Sequence, residues 1–398
     1  MKICKMNMRL NKKALMILSA AHFVTDINQG ILPALLPFYK ETFHLSYTMS
    51  GLILLCANLT SSIIQPAFGH LSDRRPIGWF LPLSPFLACL GLSLTGLLPN
   101  YSLLLVCVII SGIGIASFHP EGFKTAYYFT GDKRATGMSI FAVGGNLGIA
   151  VGPLLALTLV ASFGLRGTVS LILLGILMGI VLILNMSMFT SPVEFAHREA
   201  KKQVKAPLSR NQKISFSLLV SIATLRAWIQ FGLVAYIPFY YINYIKGNPL
   251  YAGKLVSTFL MAGVVGTLVG APLADRWGHK KFLITTLLLS FPCLLLFYYS
   301  SGPMAFVFAA VAGMVLISTF ALTTVMGQAL LPQHLGIASG MMVGFTISAG
   351  GIGVTLLGTI ADTWGVPTAI QAIFALPLIA FGLSLLIKYP PQKKRDEQ

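Results

Sequence analysis

Charge is scarce in this sequence. Only 10% of its 398 residues are charged, and just 11 are acidic, whereas soluble domains carry about 25% charged residues. With 56% hydrophobic residues, a water-soluble fold of this size could not hide its apolar surface. The scarcity is uneven as well: from Phe80 to Thr125 the only charged residues are Glu121 and Lys124. Cysteine is equally thin. Cys4, Cys56, Cys89, Cys107 and Cys293 are scattered without a CxxC pair, which indicates neither a metal site nor a disulfide framework. A phosphate loop is missing, since the nearest candidate, Gly247 to Lys254, has the wrong spacing and is followed by Leu255 instead of Ser or Thr. Gly112-Ile113-Gly114 lies in an apolar run and lacks the strand that a dinucleotide fold requires. No cofactor is therefore expected, and any energy must come from an ion gradient. The His-Glu-x-x-His pattern of zinc proteases is absent too. That leaves little for an enzyme built on His119 and Glu121.

Long apolar runs are what the sequence does have. A helix needs about 20 mostly apolar residues to cross the hydrocarbon core. Windows of that size, punctuated by charge, Pro and Gly clusters, predict spans near 14–38, 50–70, 79–98, 102–126, 137–162 and 168–189, then near 215–245, 252–274, 282–300, 304–331, 336–361 and 366–388. A cleaved leader competes for the first run, because Lys12 and Lys13 precede it and Ser19, Ala20 and Ala21 lie within it. The run continues past Asp26 to Pro37, however, so it is read as a span. The net charge of +17 raises the possibility of nucleic acid, but its distribution argues for a bilayer instead. With a cytoplasmic N-terminus, the opposite side holds only Lys40, Arg166, Lys246 and Lys254 of the 28 Lys and Arg, and Arg226 falls inside a span. The positive-inside rule then puts both termini in the cytoplasm, with no nucleic-acid partner.

The two halves of the chain repeat at a nearly fixed offset. Leu36-Pro37-Phe38-Tyr39 recurs as Ile237-Pro238-Phe239-Tyr240, Asp73-Arg74 as Asp275-Arg276, and Ala135-Thr136-Gly137-Met138 as Ala338-Ser339-Gly340-Met341. Each match stands at the same place in the predicted topology. The expected division is an N-terminal six-helix half over 1–189, a basic cytoplasmic linker over 190–214 with Pro192 and Pro207, and a C-terminal six-helix half over 215–398.

Gly69-His70-Leu71-Ser72-Asp73-Arg74-Arg75 resembles the signature G-x-L-x-D-R-x-G-R-K of major facilitator transporters, and Ala271 to Lys280 carries a second copy. Pro76 replaces the second Gly in the first copy, and Ala271 replaces the first Gly in the other. Small residues let helices approach, Asp can cap a helix N-terminus and Arg can bridge to an acid. Gly69, Asp73, Arg74, Asp275 and Arg276 are thus expected to form a cytoplasmic gate. Gly148-Ile149-Ala150-Val151-Gly152-Pro153 resembles the core of a drug–proton antiporter signature, and helix packing explains it equally well. A narrower resemblance, to the fosmidomycin resistance proteins, lies in Ala21-His22-Phe23-Val24-Thr25-Asp26, in Gln65-Pro66 running into Gly69, in Ser117-Phe118-His119-Pro120-Glu121, and in Gly144-Gly145-Asn146-Leu147-Gly148 with Gly152-Pro153-Leu154-Leu155. It implies the major facilitator fold: all-α, twelve transmembrane helices in two six-helix halves, with substrate bound between the halves. It further implies a bacterial plasma-membrane exporter of a small phosphonate antibiotic, working as a monomer.

Ionisable residues inside spans mark function, because a charge at bilayer depth costs several kcal/mol unless it is paired or wetted. His22 and Asp26 lie four apart and share a helix face, as do Arg226 and Gln230. In this fold the first and seventh spans border the central cavity, so the two pairs are expected to face each other across it. Asp26, Glu121 and His22 are the proton-coupling candidates. Arg226, His119 and Gln230 are the substrate-binding candidates, with Asn146, Tyr236 and Tyr240 as weaker ones. Pro120 can aim His119 and Glu121 into the cavity, or Glu121 can sit at the cytoplasmic rim with Lys124 or Arg134. The expected function is proton-coupled efflux of a small anionic compound, and the alternative is an importer or exchanger of a physiological organic anion. The topology is directly checkable: a reporter fused after Lys205 should read cytoplasmic and one near Lys246 external. The reverse result at both sites would end this topology.

Overall fold

The computed structural model describes residues 10–45, 47–74, 78–190, 208–241 and 249–389. Residues 191–207 of the expected linker, and Lys246, lie outside the described residues. Every regular element described is helical. Eleven runs are long and apolar enough to cross a membrane, and the longest, Arg134–Leu184, holds two spans. Its first helix ends at Phe163, where Gly164 takes a φ of +62° that a side chain would strain, and the next begins at Leu171. Twelve spans result among the described residues, and the all-α membrane fold expected from the apolar runs is the one observed.

The first span is Lys12–Thr42, the second covers residues 47–74, the third is Phe80–Leu94, the fourth Tyr101–Phe129, the fifth Arg134–Phe163 and the sixth Leu171–Leu184. The seventh is Arg210–Phe239, the eighth Pro249–Trp277, the ninth His279–Tyr299, the tenth Gly302–Leu330, the eleventh Leu335–Trp364 and the twelfth Val366–Leu386. Several starts are set by local side chains. Asn11 accepts from the Ala14 N–H at 3.1 Å and Asn100 from that of Leu103 at 3.0 Å. Ser209 and Gln212 form a reciprocal capping box. Leu154, Leu173 and Leu184 on these apolar spans are exposed. Two spans contain a π turn, Leu59–Ile63 in the second and Met341–Phe345 in the eleventh, where the backbone bonds run i to i+5.

The chain forms two compact units, Met1–Ala206 with Gln333–Phe345 and Pro207–Pro332 with Thr346–Gln398. The start of the eleventh span therefore clusters with the first unit, although the repeat assigns it to the C-terminal half. Within the first unit the first and fifth spans pack backbone to backbone. A Cβ on Gly152 would stand 2.7 Å from the Gly30 Cα, one on Gly148 would stand 2.9 Å from the Ile27 nitrogen, and one on Gly144 would strike the Ser19 carbonyl. Glycines four apart thus make one flat face, and helix packing accounts for Gly148 and Gly152. In the second unit the eighth and tenth spans meet as closely, with a Gly266 Cβ 2.6 Å from the Met314 Cα. Against the eleventh span, the seventh instead presents Trp228 and Phe231 to Gly353 and Gly350. Gly152→Val forces the first and fifth spans apart. An overpacking cost of about 1–3 kcal/mol follows, to be read as a lower unfolding temperature of the purified protein. Wild-type stability in this variant would contradict the contact.

Candidate functional site

The first unit buries a cluster of polar side chains around Asp26. Its Oδ2 lies 3.1 Å from the His22 Nε2, one helical turn back, and its Oδ1 lies 2.9 Å from the His119 Nε2 on the fourth span. Gln29 donates to the same Oδ1 at 3.0 Å. Asp26, His22 and His119 are all buried, at 4%, 3% and 3% exposure, so protein groups must replace the hydration they lose. The rings are held on their far sides too. His22 Nδ1 stands 3.0 Å from the Phe141 carbonyl, and its ring stacks on Phe141 at 4.4 Å. His119 Nδ1 stands 2.9 Å from the Gln65 Nε2. The absence of a side chain at Gly145 makes room, since a Cβ there would lie 2.7 Å from the Asp26 Oδ2. A cavity of about 40 Å³, lined in part by Asn28, Gln29, Asn58 and Ser61, adjoins the cluster, enough for about one water.

His22, Asp26 and His119 have the ligand types of a metal site, with the ligating atoms within 4.8 Å of one another. A metal would need the Nε2 lone pair of His119. The Gln65 amide nitrogen occupies the other ring nitrogen as a donor, which leaves Nε2 carrying the hydrogen. The residues present do not fit a resident metal.

Glu121 is held elsewhere. Its carboxylate pairs with Lys124 at 3.1 Å and accepts from the Ser72 hydroxyl, while Lys124 donates to the Ser72 carbonyl at 2.9 Å. Both ends of this ion pair are buried, and it ties the fourth span to the end of the second. The next residue, Asp73, caps a helix. Its two carboxylate oxygens accept the N–H groups of Gly336 at 2.8 Å and Ile337 at 2.9 Å, in the first turn of the eleventh span. Gly69 permits this approach, because a Cβ there would enter the Gly336 carbonyl. In the second copy Asp275 instead meets His279 at 3.1 Å. Arg74 and Arg276 are exposed and form no ion pair among the described residues.

In the second unit Arg226 is 3% exposed. It donates to the Gln230 Oε1 at 3.1 Å and stacks over Phe320 at 5.1 Å, and its Nε has no hydrogen-bond partner. No carboxylate pairs with it among the described residues. Tyr236 is committed to the Val354 carbonyl at 3.0 Å, and Tyr240 packs against Tyr298 at 5.5 Å. Asn146 is half-buried, and its side chain makes no hydrogen bond among the described residues. Sequence reasoning missed Gln65, Gln29, Gly145 and Ser72 as site residues. Gln65 alone had a usable signal, as a polar residue placed in an apolar span before a proline.

The sequence model of the Major Facilitator Superfamily matches residues 18–253 and 241–398, a family of transporters and not of enzymes. The chain is 32% identical to the fosmidomycin resistance protein of Escherichia coli (strain K12) over 387 residues, covering 95% of this chain and 93% of the relative. It is 31% identical to the MFS-type transporter YfnC of Bacillus subtilis (strain 168), covering 96% and 94%. Its fold is similar to that of the E. coli fucose:proton symporter FucP, with a TM-score of 0.76 at 15% identity over 96% of this chain and 100% of that one.

The cap on the eleventh span has a measurable consequence. Asp73→Ala should destabilise the purified protein by ~1–2 kcal/mol, and Asp73→Asn, which keeps one acceptor oxygen, by less. An unfolding temperature unchanged in Asp73→Ala would remove the capping role.

Proposed function

We propose that this chain, which belongs to the Major Facilitator Superfamily, exports a small anionic compound of the fosmidomycin type across a bacterial plasma membrane in exchange for protons. The observation that carries the reading is Arg226. A guanidinium is always charged and presents a rigid fork of donors suited to phosphonate or carboxylate oxygens. Here it is buried with one donor unpaired and no acid beside it among the described residues, so an incoming anion supplies the missing partner. Gln230 orients the fork and Phe320 backs it. The similarity to a fosmidomycin resistance protein supports the substrate class.

Asp26 is the coupling carboxylate in this reading, with His22 as its immediate proton partner and His119 on the other oxygen. Glu121 serves the Lys124 and Ser72 contact and takes no proton in the cycle. Asp73 with Gly69 acts as the cytoplasmic latch by capping the eleventh span. Both termini lie in the cytoplasm, and the protein works as a monomer.

Arg226→Ala removes the anion's partner. Hydrogen bonds to charged groups contribute about 1.5–3 kcal/mol, so the apparent affinity for fosmidomycin in proteoliposomes falls by about 10- to 100-fold. Arg226→Lys recovers little of it, because the planar fork is lost. Asp26→Asn abolishes pH-driven uphill movement and spares exchange down the substrate gradient. Normal transport in Arg226→Ala sinks the anion reading, and uphill transport surviving in Asp26→Asn moves the proton site elsewhere. Uptake of an organic anion driven by the same gradient would replace export with import.

A further inference from the structure

We infer that Gln65 is a positioning residue that keeps His119 neutral and thereby confines the labile proton of the cluster to the His22–Asp26 pair. The inference deepens the proposed function and rests on its assignment of proton coupling to Asp26. It follows from counting hydrogens along one chain of contacts.

The chain begins at the Ser61 carbonyl, which has no hydrogen to give. The Gln65 Nε2 lies 2.6 Å from it, so the nitrogen of that amide, and not its oxygen, must face it. The second amide hydrogen then faces the His119 Nδ1 at 2.9 Å. That ring nitrogen has to accept, because an N–H there would oppose an N–H. His119 is therefore the neutral Nε2–H tautomer, and it donates to the Asp26 Oδ1, which Gln29 also serves.

The other side of the carboxylate is different. His22 Nδ1 faces the Phe141 carbonyl at 3.0 Å and must donate to it. With that hydrogen placed, a neutral His22 would turn a lone pair at the Asp26 Oδ2, 3.1 Å away. Two lone pairs do not hold that distance, so one hydrogen lies between them, on the imidazole or on the acid. The cluster thus carries one labile proton in this conformation, at one stated place. Loss of that proton opposes the two lone pairs and drives His22 and Asp26 apart, whereas the His119 contact survives.

No other charged group facing the cluster can replace this partition among the described residues. The fifth span presents Gly145 and Phe141, the fourth presents His119 with Phe118 and Phe123, and Cys89 of the third meets Asn28. Glu121 and Lys124 are engaged with each other and with Ser72. Gln65 is also placed to pass a change onward. Its side chain fills the space beside Gly344, where a Cβ would lie 2.6 Å from its Oε1, and its carbonyl lies 2.9 Å from where a Gly340 Cβ would be. Both glycines belong to the start of the eleventh span that Asp73 caps. Gln65 therefore joins the proton site to that segment, while its Oε1 remains without a hydrogen-bond partner.

The test is imidazole NMR on the full-length protein with 15N-labelled histidine in lipid nanodiscs, with His119→Gln to assign the signal. Wild type should show His119 as the neutral Nε2–H tautomer, with its Nδ1 accepting a hydrogen bond. In Gln65→Met, which has similar volume and no amide, the His119 ring nitrogens should no longer show that single tautomer, and the pH profile of fosmidomycin transport should change. A wild-type His119 that is an Nδ1–H tautomer overturns the inference even if Gln65→Met fails to fold. So does a Gln65→Met protein whose His119 signal and pH profile match wild type. Added Zn²⁺ shifting both the His22 and His119 signals at stoichiometric concentration would make the trio a metal site and also overturn it. Uphill transport surviving in Asp26→Asn would overturn the proposed coupling while leaving the tautomer result standing, so the two failures are distinguishable.

Discussion

A carboxylate inside hydrocarbon has to be met by donors, and the arrangement of the first unit is organised around meeting Asp26. One imidazole comes from the same helix face and one from the fourth span, and the Gln29 amide shares the oxygen that the second imidazole meets. Each of those groups needs its own partner in turn, because an unsatisfied polar group in lipid costs several kcal/mol. That requirement draws in the Phe141 carbonyl, Gln65 and the Ser61 carbonyl. It also explains a glycine: position 145 has to be empty for the first and fifth spans to close on the pair. The close glycine face of Gly144, Gly148 and Gly152 and the polar cluster are thus one construction, apolar on one side and hydrogen-bonded on the other.

Much of this was legible in the sequence, and the exceptions share a cause. Twelve apolar runs are a property of composition alone, and His22 with Asp26 follows from 3.6-residue periodicity. Arg226 with Gln230 follows in the same way. His119 reaching Asp26 depends on how the fourth span rotates against the first, which local spacing does not determine. The same rotation gives Glu121 one of its partners, Ser72 from another span, beside Lys124 three residues away. For Gln65 the sequence shows only a polar residue in an apolar span before a proline, because its role arises from a contact with a residue 54 positions away.

The internal repeat is a guide to the spans and a poor guide to their contacts. Asp73 and Asp275 occupy matching positions, yet one caps the eleventh span and the other meets His279, the first residue of the ninth. The first span meets its neighbour through glycine backbones, whereas the seventh presents Trp228 and Phe231 to the eleventh. Duplicated helices have therefore kept their order and hydropathy while their interfaces diverged. The start of the eleventh span belongs to the first unit, so the boundary of a compact unit does not follow the boundary of the repeat.

The π turn at Leu59–Ile63 has a consequence for how this protein can vary. An α-helix rotates about 100° per residue, and a π turn accommodates one residue more than the same stretch of α-helix. Gln65, Gly69, Ser72 and Asp73 all lie beyond that turn, so their directions are set by the number of residues before them as much as by their identities. Losing one residue within 59–63 is the exception: the stretch becomes ordinary α-helix of the same length and the polar face beyond it keeps its direction, whereas a loss elsewhere in the helix would swing that face by about 100°. In that stretch a relative can be one residue shorter and keep the same polar face, so an ungapped comparison of letters would set Gln65, Gly69, Ser72 and Asp73 against the wrong positions.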